Sequence, residues 1–233
     1  MSTTGLPTIA RYAIRSSAGS SKLFSLVISR GSVVDFTYGP PSTTKAAIVN
    51  ASNEVCLGGG GVDGAISAAG GPNLMHDRLR LPFVADDGPS CRGVRCPTGE
   101  DVITGPGDYG DLSVSYVIHA TGPNYMLCDE DLDWDSLVAA HEEGAEPIND
   151  YLQGDALLRS AYVEAMRRAA EHGLAAVAFS LISSGIFRGR HSKKEVLKIG
   201  IEGITHNIVE VMAALAVRDG GAASPSTLEE DPA

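Results

Sequence analysis

A short apolar strand that runs into four consecutive glycines constrains this chain more than any other stretch. Residues 46–71 read AAIVNASNEVCLGGGGVDGAISAAGG. Ala46 to Val49 has the composition of a buried strand. Polar Asn50, Ser52 and Asn53 follow at its end, then Gly58 to Gly61. Val62-Asp63-Gly64-Ala65-Ile66 reads as a helix start with an acid in its first turn. Such a strand–glycine loop–helix unit grips phosphate. Without a Cβ the backbone approaches a ligand closely, and unpaired N–H groups at the helix start point at an anion. A glycine run by itself is equally a simple turn; the attached Asn50, Asn53 and Asp63 make this pattern specific.

The arrangement recurs later in the chain. Leu174 to Leu181 (LAAVAFSL) is a continuous apolar run, the pattern of a central strand covered on both faces. It ends in Ile182-Ser183-Ser184-Gly185-Ile186-Phe187, a second candidate phosphate loop. Leu23 to Ser29 (LFSLVIS) is expected to be the first member of the same sheet, and Val114 to Ala120 another buried strand with His119 as a satisfied structural histidine. Helical spacing runs from Ile66 to Leu81, and Gly70-Gly71-Pro72 divides it into two short helices. A helix from Asp155 to His172 has Asp155 as its N-cap and Gly173 as its stop, and a last helix covers Lys193 to Glu210. Ala213 to Val217 fits either a short strand or more helix.

Alternating strands and helices define an α/β chain, a three-layer α/β/α sandwich with a mixed central sheet. Ligands in such sheets sit at the carboxyl ends of strands, where both glycine loops fall. Residues 10–218 are expected to form a single domain, with 1–9 a flexible N-terminus and 219–233 a disordered tail. Residues 129–150 carry nine acids, no lysine or arginine, and Trp134; they read as an acidic insertion, either a plain surface loop or a lid anchored by Trp134.

Charge narrows the partners. Eighteen basic and 29 acidic residues give a net charge of −11. That argues against nucleic acid and anionic membrane, whose phosphates would be repelled. It is compatible with a small anion held by backbone dipoles. No apolar run reaches the length of a membrane span. Cys56, Cys91, Cys96 and Cys128 form no CxxC pair, so no metal site is expected, and reduced thiols point to an intracellular, cytoplasmic protein. No cofactor is expected, and the protein is expected to be a monomer. The stretch up to Val34 is free of acids and holds Arg11, Arg15, Lys22 and Arg30, a composition that leaves organelle targeting open.

The paired motifs resemble the macrodomain family, whose members bind ADP-ribose and join a "VNAAN" strand end to a "GGGGVDGAI" loop. Here they read Val49-Asn50-Ala51-Ser52-Asn53 and Gly58 to Ile66. The resemblance continues through Cys96-Pro97-Thr98-Gly99-Glu100, Ile103-Thr104-Gly105, Tyr116-Val117-Ile118-His119, Gly122-Pro123 and Ile182 to Phe187, so that it spans residues 22–210 in order. Within the family, the glycine-loop aspartate is typical of the branch that hydrolyses ADP-ribose linkages.

That resemblance implies ADP-ribose, free or on modified proteins, as the ligand. Asn50, Ala51, Gly59, Gly60, Gly61 and Val62 would line one side and Ser183, Ser184, Gly185, Ile186 and Phe187 the other, with the loop amides on the diphosphate and Phe187 against the distal ribose. Asn53 would bond the ribose hydroxyls, and Asp63 would orient or deprotonate a water beside the anomeric carbon. Asp63 also suits a helix N-terminus on dipole grounds alone, worth ~0.3–1 kcal/mol. Many relatives recognise adenine with the aspartate of a "GDI" stretch. Ser32 stands at that place here and Asp35 three positions on, so either Asp35 takes the contact or adenine is held differently. Arg188 replaces a common glycine and either pairs with a phosphate or faces solvent. The implied reaction is hydrolysis of the ester between ADP-ribose and protein acidic residues, or deacetylation of O-acetyl-ADP-ribose. A non-catalytic reader and an ADP-ribose 1″-phosphate phosphatase are the alternatives.

Overall fold

The structure is a computed structural model that describes residues 5–15, 23–39, 45–84, 93–128, 151–218 and 227–230. The acidic insertion at 129–150, with Trp134, lies outside the described residues, as does most of the expected tail.

The centre is a four-stranded sheet built from β3 (Ala46–Ser52), β4 (Asp101–Thr104), β5 (Tyr116–Thr121) and β6 (Ala176–Phe179) in the order β4-β5-β3-β6. β3 is parallel to both β5 and β6, while β4 closes the edge antiparallel to β5, so the sheet is mixed. The apolar run of β3 feeds both faces, as strand alternation requires. Ala46 and Ile48 pack with Ile66 and Leu74 of helix α1 (Gly61–Leu79). Ala47 and Val49 pack with Leu158, Ala161, Tyr162 and Ala165 of α2 (Tyr151–Glu171) and with Val196 and Ile199 of α3 (Lys193–Arg218). Each fully buried Ile, Leu or Val among them contributes about 1.5–3 kcal/mol. The result is the expected α/β/α layering.

Two local expectations are corrected and a third, left open between strand and helix, is decided. Leu23–Ser29 is a strand, β2, but not a member of the central sheet: it pairs antiparallel with β1 (Thr8–Arg15), and β1 pairs with β7 (Thr227–Glu230). The register opposes Ala10 to Ile28 and Tyr12 to Leu26, so β1 supplies matching apolar partners close by in sequence. Asp155 is not an N-cap, because α2 begins at Tyr151; its carboxylate instead accepts a 2.8 Å bond from the Tyr125 hydroxyl and lies 2.9 Å from His191 Nε2. The last helix runs unbroken through Ala213 to Val217. Among the described residues no helix is long and apolar enough to cross a membrane, and no group of three or more His, Cys, Asp or Glu side chains is placed to hold a metal ion.

Helix α1 carries the expected interruption. Gly71 takes φ 62°, ψ −159°, followed by Pro72, and the helix turns there. Only a residue without a Cβ occupies that region of backbone space without strain.

Candidate active site

The parallel pairing of β6 beside β3 sends their following loops out side by side at one sheet edge. Gly58 to Gly61 leave β3 there, and Ser183 to Phe187 leave β6. The end of β5 joins them. A Cβ on Gly122 would stand 2.3 Å from Ile182 Cγ2 and from Ser183 Oγ, so the loop after β5 presses directly on the loop after β6. An open pocket of about 240 Å³, solvent at its mouth included, lies at this edge. It is lined by Asn53, Glu54, Thr98, Thr121, Gly122, Asn124 and Phe187, and so brings together two of the residues singled out from sequence, Asn53 and Phe187.

The glycine loop opens α1. Gly60 is its N-cap and supplies no side-chain hydrogen bond; the first intrahelical closure is Gly64 N–H to Gly60 O at 3.3 Å. First-turn amides have no partner within their own helix, which leaves those of Gly61, Val62 and Asp63 open to an acceptor from outside it. Gly59, Gly60, Gly61 and Val62 are exposed. Asn53 is anchored within the loop, donating from Nδ2 to Gly58 O at 3.2 Å and accepting the Cys56 N–H at Oδ1 at 3.1 Å.

The second loop is also pre-set. Ser183 holds a left-handed φ of 51° and donates from Oγ to Pro123 O at 2.7 Å. Ser184 Oγ donates to Leu181 O at 2.8 Å, and the Ile182 N–H donates to the Tyr162 hydroxyl at 3.0 Å. Gly185 caps a short turn, Ile186–Arg188, without a side-chain bond, and Ile186 is exposed. Arg188 Nη1 donates to His191 O at 2.9 Å, so it braces its own loop. Asp35 ends a separate short turn, Val33–Asp35, N-capped by Ser32, and is exposed.

Asp63 is buried and sits at the middle of a polar chain. Its Oδ1 lies 3.0 Å from Arg78 Nη2 and accepts a 2.9 Å bond from Asn50 Nδ2. Asn50 is fully buried, with Nδ2 also 3.2 Å from His119 Nδ1, while His119 Nε2 is 3.0 Å from Thr104 Oγ1. Because an amide nitrogen only donates, His119 Nδ1 is the acceptor and Nε2 carries the proton; this tautomer is assigned from the bonding pattern. Thr104 Oγ1 passes the chain on to Val117 O at 3.4 Å. Burial, and then the Arg78 charge, push the His119 pKa well below its ordinary value, so the ring is neutral. Ala51 is half-buried on the strand between Asn50 and Ser52.

One small region unites the two candidate catalytic residues. A Cβ placed on Gly59 would lie 3.4 Å from Asp63 Oδ2 and 3.6 Å from Asn53 Nδ2. Asp63 Oδ2 has no hydrogen-bond partner. Arg78 carried no signal in the sequence: it lies near the far end of α1, and only the turn at Gly71 brings it to Asp63. Thr121 and Asn124 also stand outside the residues singled out, although Gly122-Pro123 between them belongs to the resemblance and the "TGPN" run at a strand end is turn chemistry that marks a loop.

Comparison with known proteins adds the following. The Macro domain family model matches residues 49–199. A Macro domain-containing protein of Caldanaerobacter subterraneus is 39% identical over 141 residues, 60% of this chain and 62% of that relative. An O-acetyl-ADP-ribose deacetylase 2 of Pantoea vagans is 34% identical over 169 residues, 70% of this chain and 75% of that relative. Thus the chain spans less than two thirds of the length of the first of these relatives and three quarters of the second. Among solved structures, a variant of the Oceanobacillus iheyensis macrodomain with ADPR is 25% identical with a TM-score of 0.56, covering 84% of this chain and 82% of that one. The Trypanosoma brucei macrodomain in complex with ADP is 26% identical with a TM-score of 0.53, covering 79% and 57%.

Proposed function

The chain belongs to the Macro domain family, and on that premise we propose that it binds ADP-ribose between its two glycine loops and hydrolyses esters of it. The substrates are ADP-ribose joined to protein acidic residues and O-acetyl-ADP-ribose. A relative named O-acetyl-ADP-ribose deacetylase and a structural neighbour solved with ADPR support the ligand class.

The observation that carries the reading is the point beside Gly59, flanked by Asp63 Oδ2 and Asn53 Nδ2 at the start of a helix with unpartnered amides. The amides of Gly59 to Gly61 and of Ser184 to Ile186 hold the diphosphate, which explains how a chain of charge −11 binds a dianion. Asn53 bonds the distal ribose hydroxyls, and Phe187 packs against that ribose. A water oriented by Asp63 attacks the anomeric carbon and forms a new C–O bond. The ester C–O bond breaks, the substrate carboxylate departs with the electron pair, and the water proton passes to Asp63 and on to solvent. For the acetyl ester the water attacks the acyl carbon, the bond from that carbon to the ribose oxygen breaks, the ribose oxygen leaves with the electron pair and takes up the proton, and acetate and ADP-ribose are the products. Positioned proton transfer of this kind contributes ~10²–10⁴-fold.

One observation favours a second reading, a non-catalytic reader of modified proteins: Asp63 is only 4% exposed and is paired with Arg78. The deciding experiment incubates the protein with an acid-linked ADP-ribosylated protein and with O-acetyl-ADP-ribose. Release of ADP-ribose and acetate by the wild type, lost in Asp63→Asn, supports hydrolysis. Tight calorimetric binding without turnover assigns the reader role, and phosphate release from ADP-ribose 1″-phosphate assigns a phosphatase.

A further inference from the structure

We propose that Arg78 is a positioning residue for the reaction: it fixes one oxygen of Asp63 so that the other is presented to the substrate water. The inference rests on the hydrolytic reading above and names the atom that would act.

Arg78 has no exposed surface. Its guanidinium is held at two points, both on the first half of the helix from whose second half it comes. Nη2 lies 3.0 Å from Asp63 Oδ1, and Nη1 donates to Ser67 Oγ at 2.8 Å. Ser67 Oγ in turn donates to the backbone carbonyl of Asp63 at 2.7 Å. Asn50 Nδ2 supplies the second contact on Oδ1 at 2.9 Å. Oδ1 therefore has one hydrogen bond, from Asn50, and one ion-pair contact, from Arg78 Nη2, and the two together orient the carboxylate. The other oxygen, Oδ2, is buried, accepts no hydrogen bond and lies beside Gly59, near the same point as Asn53 Nδ2.

The placement is built, not incidental. In an uninterrupted helix, at 1.5 Å per residue, the Cα atoms of positions 63 and 78 would be roughly 22 Å apart, beyond the reach of any arginine. The turn at Gly71-Pro72 folds the second half of α1 back and brings the cation under the glycine loop. A Cβ on Gly58 would stand 3.8 Å from Arg78 Nη1.

The test compares wild type, Arg78→Gln, Arg78→Lys and Asp63→Asn in acetate release from O-acetyl-ADP-ribose, with ADP-ribose affinity by calorimetry and folding by thermal melting. The expected result for Arg78→Gln is a fall in kcat of about 10- to 100-fold, the scale of an ångström-level misplacement, with KM and ADP-ribose affinity unchanged. Arg78→Lys, which restores the charge but not the two-point grip, is expected to recover part of kcat. A folded Arg78→Gln with wild-type kcat overturns the proposal. So does a variant whose ADP-ribose affinity falls by the same factor as kcat, which is loss of the cleft and not of orientation. If Arg78→Gln does not fold, Arg78→Lys carries the same readout: reduced kcat at unchanged KM supports positioning, and wild-type kcat overturns it. A wild type without turnover defeats the hydrolytic reading itself, an active Asp63→Asn removes Asp63 as the acting carboxylate and Arg78 with it, and an inactive Asp63→Asn beside a fully active Arg78→Gln defeats only the role of Arg78.

Discussion

Asp63 and Arg78 stand near opposite ends of one helix and yet meet at 3.0 Å, because that helix folds back on itself at Gly71. Both partners are buried, so neither charge is screened by solvent. The pair joins the first turn of α1, just after the glycine loop, to the helix's second half, and the stability and chemistry of the site follow from it together.

Breaking such a pair from one side leaves an uncompensated buried charge, which costs about 3–5 kcal/mol. Asp63→Asn and Arg78→Gln are therefore each expected to lower stability in urea denaturation. The double variant is expected to be less destabilised than the sum of the two, with a coupling in the range of ~0.5–3 kcal/mol typical of contacting residues. Strict additivity would mean that the two side chains do not interact in solution.

Gly71 has φ 62°, ψ −159°, with no other atom within 4 Å of an added Cβ. The cost of Gly71→Ala is thus backbone strain alone, about 1–3 kcal/mol. Chemical denaturation measures it, and an unchanged midpoint would show that the helix is not turned there.

At Gly59 the situation is reversed. The added methyl of Gly59→Ala would meet Asp63 Oδ2 and Asn53 Nδ2 at ordinary contact distance, 3.4 and 3.6 Å. The melting temperature is expected to hold while turnover falls, since the methyl fills the space between the two groups proposed to act. A Gly59→Ala protein as active as the wild type would place the reacting atoms elsewhere.

His119 makes stability depend on pH. The ring is neutral in the fold, because burial first and the Arg78 charge second push its pKa well below 6.5. The unfolded chain takes up this proton near pH 6.5 and the folded one does not, so stability rises with pH below that point and levels off above it. The slope from this group is about 1.4 kcal/mol per pH unit. Stability measured at pH 5 and pH 7 is expected to differ less in His119→Gln than in the wild type. An identical difference in the two proteins would mean that His119 is protonated in the fold.

Much of this organisation is legible in the residues. The apolar β3, the glycine loop and the start of α1 are consecutive in sequence, and so is their repeat from β6 to Phe187. Local rules therefore reach them, including the break at Gly71-Pro72. His119 reads correctly as a satisfied structural histidine, although its partners Asn50 and Thr104 come from different strands. The misreadings are of another kind. That β2 leaves the central sheet depends on β1 offering it a matched edge, a choice between partners that one strand's pattern does not record. Asp155 looks like a helix cap by composition, but Tyr125 and His191, distant in sequence, claim its carboxylate. Arg78 was invisible because the angle at which a broken helix refolds is set by tertiary packing, not by the residues that break it.

The most direct measurement is a crystal structure with ADP-ribose. The account expects the diphosphate to bond to the amides of Gly59 to Gly61 and of Ser184 to Ile186, the distal ribose to rest between Phe187 and Asn53, and Asp63 Oδ2 to be the oxygen nearest the anomeric carbon. A crystal saturated with ADP-ribose in which the two loops are empty, or in which the diphosphate is bound away from them, would contradict it.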